Sequence, residues 1–129
     1  MVGIDTNILV RFITQDDTKQ VPLVNELLFT EEKVFLASIV LVETVWVLKR
    51  FYRWKREDVV MALETLLEVE NLIFEDESSV AHATWAYRDH GDWADHFIQA
   101  QCKKHRCSSL ITFDFHFAKF YPDFVKVLS

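Results

Sequence analysis

The sequence predicts an α/β fold with a parallel sheet covered by helices on both faces, and three features lead there. Short apolar runs alternate with longer stretches of helical periodicity, the pattern of parallel strands joined by crossover helices. Glycine and proline number only two each, too few for the turns of an all-β sandwich or barrel. Half of the 129 residues are hydrophobic and 26% are charged, enough for one sizeable core and unlike a disordered chain. No repeat, low-complexity tract or linker interrupts the chain, so residues 1–129 are expected to form a single domain.

The elements follow in order. Val2–Ile4 is apolar, ends at Asp5 and suits a buried strand. Asp5 or Thr6 can then cap a helix through Ile8, Leu9, Phe12 and Ile13. A second helix covers Val21–Phe29, with Pro22 tolerated in its first turn. Val34–Leu36 reads as a strand, and Ser38 as the cap of a long helix from Ile39 to about Tyr52. β-Branched residues make that stretch ambiguous; its length and basic C-terminal end decide for helix. Arg56–Val69 is amphipathic, with Val59, Val60, Leu63, Leu66 and Leu67 at its apolar positions, which suit a core or a dimer surface. Asn71–Phe74 fits a strand, and Glu77–Tyr87 a helix that stops near Gly91. Asp92 caps a helix to about His105. Ser109–Thr112 is then a strand, Phe115–Phe120 a short helix and Phe124–Leu128 the last strand. In such sheets ligands bind beyond the carboxyl ends of the strands.

Several function classes fall away. The net charge is −6, which argues against holding nucleic acid by bulk charge alone. No apolar run is long enough to span a membrane, and Met1–Asn7 lacks the basic head and apolar segment of a signal peptide. Cys102 and Cys107 lie five apart near a helix end and suggest no disulfide framework, so a cytoplasmic location is expected. The five histidines form no paired metal spacing, and Cys102, His105 and Cys107 lack a fourth ligand for zinc, so all are read as structural. There is no glycine-rich phosphate loop and no nucleophile elbow.

The acids are more informative. Asp5 ends the first strand and Asp114 directly follows Leu110-Ile111-Thr112-Phe113, so two strands end in Asp at the edge where a crevice is expected. Each alone is an ordinary helix cap. Glu43 is the only charge between Lys33 and Lys49, and a carboxylate among apolar residues needs a base, a hydrogen-bond set or a metal unless it emerges on a narrow exposed stripe. Asp92 and Asp95 fit a helix start, which also aims them at the sheet edge. Carboxylates that converge repel each other and call for a cation, and all-oxygen ligation selects Mg²⁺ or Mn²⁺. Such ions bind phosphodiesters and activate water.

Val2-Gly3-Ile4-Asp5-Thr6-Asn7, the lone acid in Leu41-Val42-Glu43, the Asp92-Trp93-Ala94-Asp95 helix start and Thr112-Phe113-Asp114 together resemble the PIN-domain nucleases, most closely the VapC type of toxin–antitoxin pairs. The resemblance runs over nearly the whole chain, and the four motifs keep their order. It implies a three-layer α/β/α, Rossmann-like domain around a mostly parallel sheet of about five short strands. It implies Mg²⁺- or Mn²⁺-dependent cleavage of single-stranded RNA at a site of Asp5, Glu43, Asp95 and Asp114. Asp5 and Asp95 are then the main metal ligands, Glu43 and Asp114 bind metal or orient water, and Asp92 ranks fifth. Thr6, Asn7 and Thr112 hold the carboxylates by hydrogen bonds. The resemblance also implies a homodimer and a cognate antitoxin, through which alone operator DNA is bound.

Two features stay open beside it. Lys49–Arg56, with Phe51, Tyr52 and Trp54 interleaved, can track an RNA backbone, or is a helix end with basic caps and core aromatics. Phe51 is assigned to the core, while Arg50, Arg53 and Lys55 remain candidate RNA contacts. The competing functions are a non-toxin RNA-processing nuclease, a phosphotransferase using Asp5 as nucleophile, which Asn7 disfavours, and a non-catalytic acidic pocket for a basic partner peptide.

Overall fold

The computed structural model describes all residues, 1–129. The order is β1 (Val2–Gly3), α1 (Thr6–Thr14), α2 (Gln20–Thr30), β2 (Val34–Leu36), α3 (Ser38–Arg50), α4 (Arg56–Leu67), β3 (Leu72–Phe74), α5 (Glu77–Tyr87), α6 (Trp93–Lys104), β4 (Leu110–Thr112), α7 (Phe115–Phe120) and β5 (Val125–Val127). All twelve expected elements are present, and the fold class is α/β with parallel pairing at every strand pair. No helix is long and apolar enough to cross a membrane.

Two compact units divide the chain, Met1–Glu77 and Ser78–Ser129. In the first, β1, β2 and β3 form a parallel sheet in that order, with Val2 opposite Val34 and Val34 opposite Leu72. α1 and α2 connect β1 to β2, and α3 and α4 connect β2 to β3, as parallel neighbours require. Val34 and Leu36 are fully buried, as are Leu9, Leu41, Leu48 and Val59 on the helices. Because the strands are parallel, Asp5 beyond β1 and Glu75 beyond β3 follow carboxyl ends of the same sheet.

The second unit holds α5, α6 and a parallel pair, β4 with β5, in which Leu110 faces Val125 and Thr112 faces Val127. α7 forms the crossover between them. Phe117, Phe124 and Val125 make a small buried cluster, with Cys102, Leu110, Ala118 and Tyr121 packed against it. Trp93 is fully buried and donates its indole N–H to the Thr84 hydroxyl at 3.2 Å. The ladder bonds thus join the five strands as three and two; strands of two or three residues carry few such bonds.

Three local expectations change. Ser38 is the first helical residue of α3 and Ala37 the cap, without a side-chain cap bond. The Glu75 carboxylate takes over by accepting from Ser38 N–H at 2.8 Å. α3 also stops at Arg50, short of Tyr52, because Arg53 turns the chain through a left-handed conformation (φ 57°). Asp92 occupies the cap position of α6, yet its side chain makes no cap bond.

Candidate functional site

In the first unit, Asp5 caps α1 from extended backbone, and its Oδ1 accepts from Thr6 N–H at 2.7 Å. The Thr6 hydroxyl donates to Glu43 Oε1 at 3.0 Å. One residue thereby holds two acids that are far apart in sequence. Glu43 is exposed, so the expected desolvated carboxylate is corrected. Leu41, Thr44, Val45 and Leu48 take the buried face of α3, and Glu43 lies on a stripe with exposed Ile39, Trp46 and Arg50. The narrow stripe, weighed against burial from the sequence, is what forms.

Asp5, Thr6, Asn7 and Glu43 line one cavity of about 530 Å³ together with Val10, Arg11, Val47, Phe51 and Tyr52. Arg11 places a cation in this wall, and it is tied to Asp16 and to Gln20, whose Oε1 accepts from Nε at 2.8 Å. Sequence reasoning passed over Arg11 because an arginine within an amphipathic helix looks like solvated surface. Phe51 is corrected too: it is 71% exposed and packs edge-on against Trp46, with ring centroids 5.5 Å apart. Arg50 lies 5.9 Å from the Trp46 ring centroid. Arg53 forms the left-handed turn, and Lys55 precedes α4 at its cap position. None of these three basic residues lines the cavity.

In the second unit, Asp95 sits in the first turn of α6. Burial, then the charges of Asp92 and Asp114, push its carboxyl up to about 6. Asp95 therefore lies within electrostatic reach of both other acids. Asp114 caps α7, its Oδ1 accepting from His116 N–H at 2.9 Å and Phe117 N–H at 3.1 Å. Thr112 Oγ1 accepts from Asp114 N–H at 3.0 Å. Thr112 thus holds the turn that presents Asp114, without touching its carboxylate there.

The histidines serve this unit's interior. His96 is fully buried, with Nε2 2.8 Å from the His90 carbonyl and Nδ1 2.5 Å from the Tyr121 hydroxyl. A carbonyl only accepts, so Nε2 carries the proton and Tyr121 donates to Nδ1. Burial pushes the His96 ring below the usual histidine range, in keeping with a neutral imidazole. Gly91 has φ +80°, and a Cβ there would come within 2.6 Å of His96 Nε2. Only glycine suits this approach, and it leads directly into Asp92.

A model of the PIN domain family matches residues 2–121. The chain belongs to the PIN domain family. A VapC ribonuclease of Aquifex aeolicus (strain VF5) is 28% identical over 120 residues, covering 90% of this chain and 89% of that protein. No solved structure matches with comparable significance. The stretch matched as a PIN domain contains Asp5, Glu43, Asp92, Asp95 and Asp114.

The donor chemistry of this PIN domain fits a hard divalent cation. The acids contribute carboxylate oxygens, and Asp95 is short of a counter-charge beside Asp92 and Asp114. No three acidic, histidine or cysteine side chains close on one point as a finished metal cage. The first unit offers the carboxylate oxygens of Asp5 and Glu43, and the second those of Asp95, Asp92 and Asp114.

Proposed function

We propose that this PIN domain is an endoribonuclease of VapC type that needs Mg²⁺ or Mn²⁺ and cuts single-stranded RNA. The observation that carries the reading is Asp95, held half-buried beside two further acids with its carboxyl pushed up to about 6. Keeping such a group costs stability unless a cation relieves it. The similarity to a VapC ribonuclease supports the choice of RNA and of a toxin–antitoxin role.

In this reading the two units work as a single domain, and Asp5, Glu43, Asp95 and Asp114 act in one reaction, with Asp92 assisting. That grouping rests on the order of the motifs and on family membership. A bound divalent ion would supply charge neutralisation at the phosphodiester and a more acidic water. The chain's own residues do the positioning. Thr6 orients Glu43 through its hydroxyl and Asp5 through its N–H. Asp114 commits Oδ1 to capping α7, which leaves Oδ2 to face a ligand. Asn7 lies in the wall of the Asp5–Glu43 cavity, where its amide can hold a carboxylate or a ribose hydroxyl. Arg50, Arg53 and Lys55 offer charge to the RNA backbone. A homodimer, a cytoplasmic location and a cognate antitoxin that alone contacts operator DNA complete the proposal.

The test is cleavage of labelled single-stranded RNA by wild type and by Asp5→Asn, with Mg²⁺, with Mn²⁺ and with EDTA. Cutting by wild type alone, and only with metal, is expected. Equal cutting in EDTA would remove the metal, and equal cutting by Asp5→Asn would remove the site. A double-variant cycle of Asp5→Asn with Asp95→Asn tests the common reaction. Groups that act as a unit give losses far short of the product of the single losses.

A further inference from the structure

α6 ends in a Schellman motif. Arg106 adopts a left-handed conformation (φ 62°), Cys107 N–H donates to the Cys102 carbonyl at 3.0 Å, and Arg106 N–H donates to the Lys103 carbonyl at 3.0 Å. This motif brings the side chain two places beyond the helix cap, His105, back against the side chain in the last turn, a contact normally filled by apolar residues. Here both places hold cysteine, and neither is in a disulfide. Cys107 is exposed, whereas Cys102 is half-buried against Phe117, Phe124 and Val125. Every residue between the two is basic: Lys103, Lys104, His105 and Arg106. Spacing five apart does not reveal the pair from sequence; the left-handed turn at Arg106 does.

We propose that Cys102 and Cys107 form a dithiol that is reversibly oxidised to an intramolecular disulfide by a small anionic disulfide of the glutathione type. The basic run draws the anionic oxidant to the exposed thiol. The Cys107 thiolate attacks one sulfur of the oxidant, whose S–S bond breaks and releases one thiolate. The Cys102 thiol gives its proton to solvent and attacks Cys107 Sγ of the mixed disulfide, expelling the second thiolate. Two protein thiols lose two electrons, and the oxidant is reduced to two thiols. The backbone already holds the pair as a helix cap, so closure needs no unfolding of α6. In a reducing compartment such a bond is a transient sensor rather than a permanent staple.

The experiment uses the full chain in buffers of graded oxidised-to-reduced glutathione, followed by thiol trapping, intact mass and peptide mapping. Wild type is expected to lose the mass of two hydrogens, to yield a Cys102–Cys107 cross-linked peptide and to recover on reduction. Cys107→Ser should yield no such cross-link. Arg106→Val, with both thiols kept, should close about tenfold more slowly, because a β-branched residue resists the left-handed turn. Arg106→Gly should close at least as fast as wild type. Thermal unfolding of each variant checks that it is folded. Glutathione adducts or chain-to-chain disulfides alone in wild type would overturn the proposal. Closure in Arg106→Val at the wild-type rate would overturn the role of the turn.

Discussion

The Thr6 hydroxyl donates to Glu43 Oε1 at 3.0 Å, tying the start of α1 to the middle of α3. The same residue's N–H donates to Asp5 Oδ1, so the geometry of both acids passes through Thr6. Thr6→Val keeps the shape and the backbone donor but removes the hydroxyl. It should lower metal affinity or cleavage by about 10–100-fold, as expected for a residue that orients a ligand. The bond is solvent-exposed, so stability should change by only about 1 kcal/mol or less. Thr6→Ser should retain most activity. Activity in Thr6→Val equal to wild type would leave the bond without a role in the reaction.

Asp95 predicts an unusual pH dependence. Its carboxyl is raised from the ordinary value of 3.8 to about 6 by burial and by Asp92 and Asp114. Between these values the folded state holds the proton more tightly than the unfolded chain. Its contribution to stability is therefore full below about pH 4 and lost as pH rises through about 6. Asp95 is partly open to solvent, which screens the effect to about 1 kcal/mol. His82 and His96 act in the opposite sense, since burial pushes both rings down and their contribution is lost as pH falls below 6.5. The informative quantity is thus the difference between metal-free wild type and Asp95→Asn. Asp95→Asn should be the more stable at pH 7, lose that advantage near pH 4, and be inactive. Parallel denaturation profiles across this range would show that Asp95 carries no such strain.

Much of this architecture is legible in the residues. Val34–Leu36, Glu77–Tyr87 and Phe115–Phe120 fall on the expected bounds, because a short apolar run or a helical period ends at a clear breaker. The parallel pairing follows from strands separated by helices. What escapes is set by contacts distant in sequence. Nothing local says that Glu75 will cap α3, and that contact takes the role expected of Ser38. Glu43 looks buried because its neighbours are apolar, yet three exposed hydrophobic residues, Ile39, Trp46 and Phe51, share its side of the chain. Arg11 and Tyr52 enter the cavity wall through helix packing, which a single sequence does not encode as a motif. Asp5 and Asp114 are legible as acids that follow strands, and both prove to be helix caps as well.

Gly91→Ala should destabilise the protein by about 1–3 kcal/mol, since the added methyl meets a positive φ and a packed ring at once. The φ is +80°, and the nearest atom, His96 Nε2, is held in place by the His90 carbonyl. The loss should extend to activity even where the variant remains folded, because Gly91 leads into the Asp92–Asp95 turn of α6. Chemical denaturation gives the first quantity and RNA cleavage the second. A neutral substitution in both assays would mean that the turn relaxes freely around His96.

Metal binding itself can be measured without catalysis. An ion that binds only the folded chain adds about 2.7 kcal/mol at a hundredfold excess over its dissociation constant. Mn²⁺ should therefore raise the unfolding temperature of wild type, and by more at pH 7.5 than at pH 5. At the lower pH Asp95 is largely protonated, given a carboxyl near 6, and a proton competes with the ion for its oxygens. Asp95→Asn should lose most of the Mn²⁺ shift and all of its pH dependence, and Asp5→Asn should lose part of the shift. An equal shift in wild type and Asp95→Asn would place the ion elsewhere. A shift of the same size at both pH values would show that Asp95 does not exchange its proton for the metal.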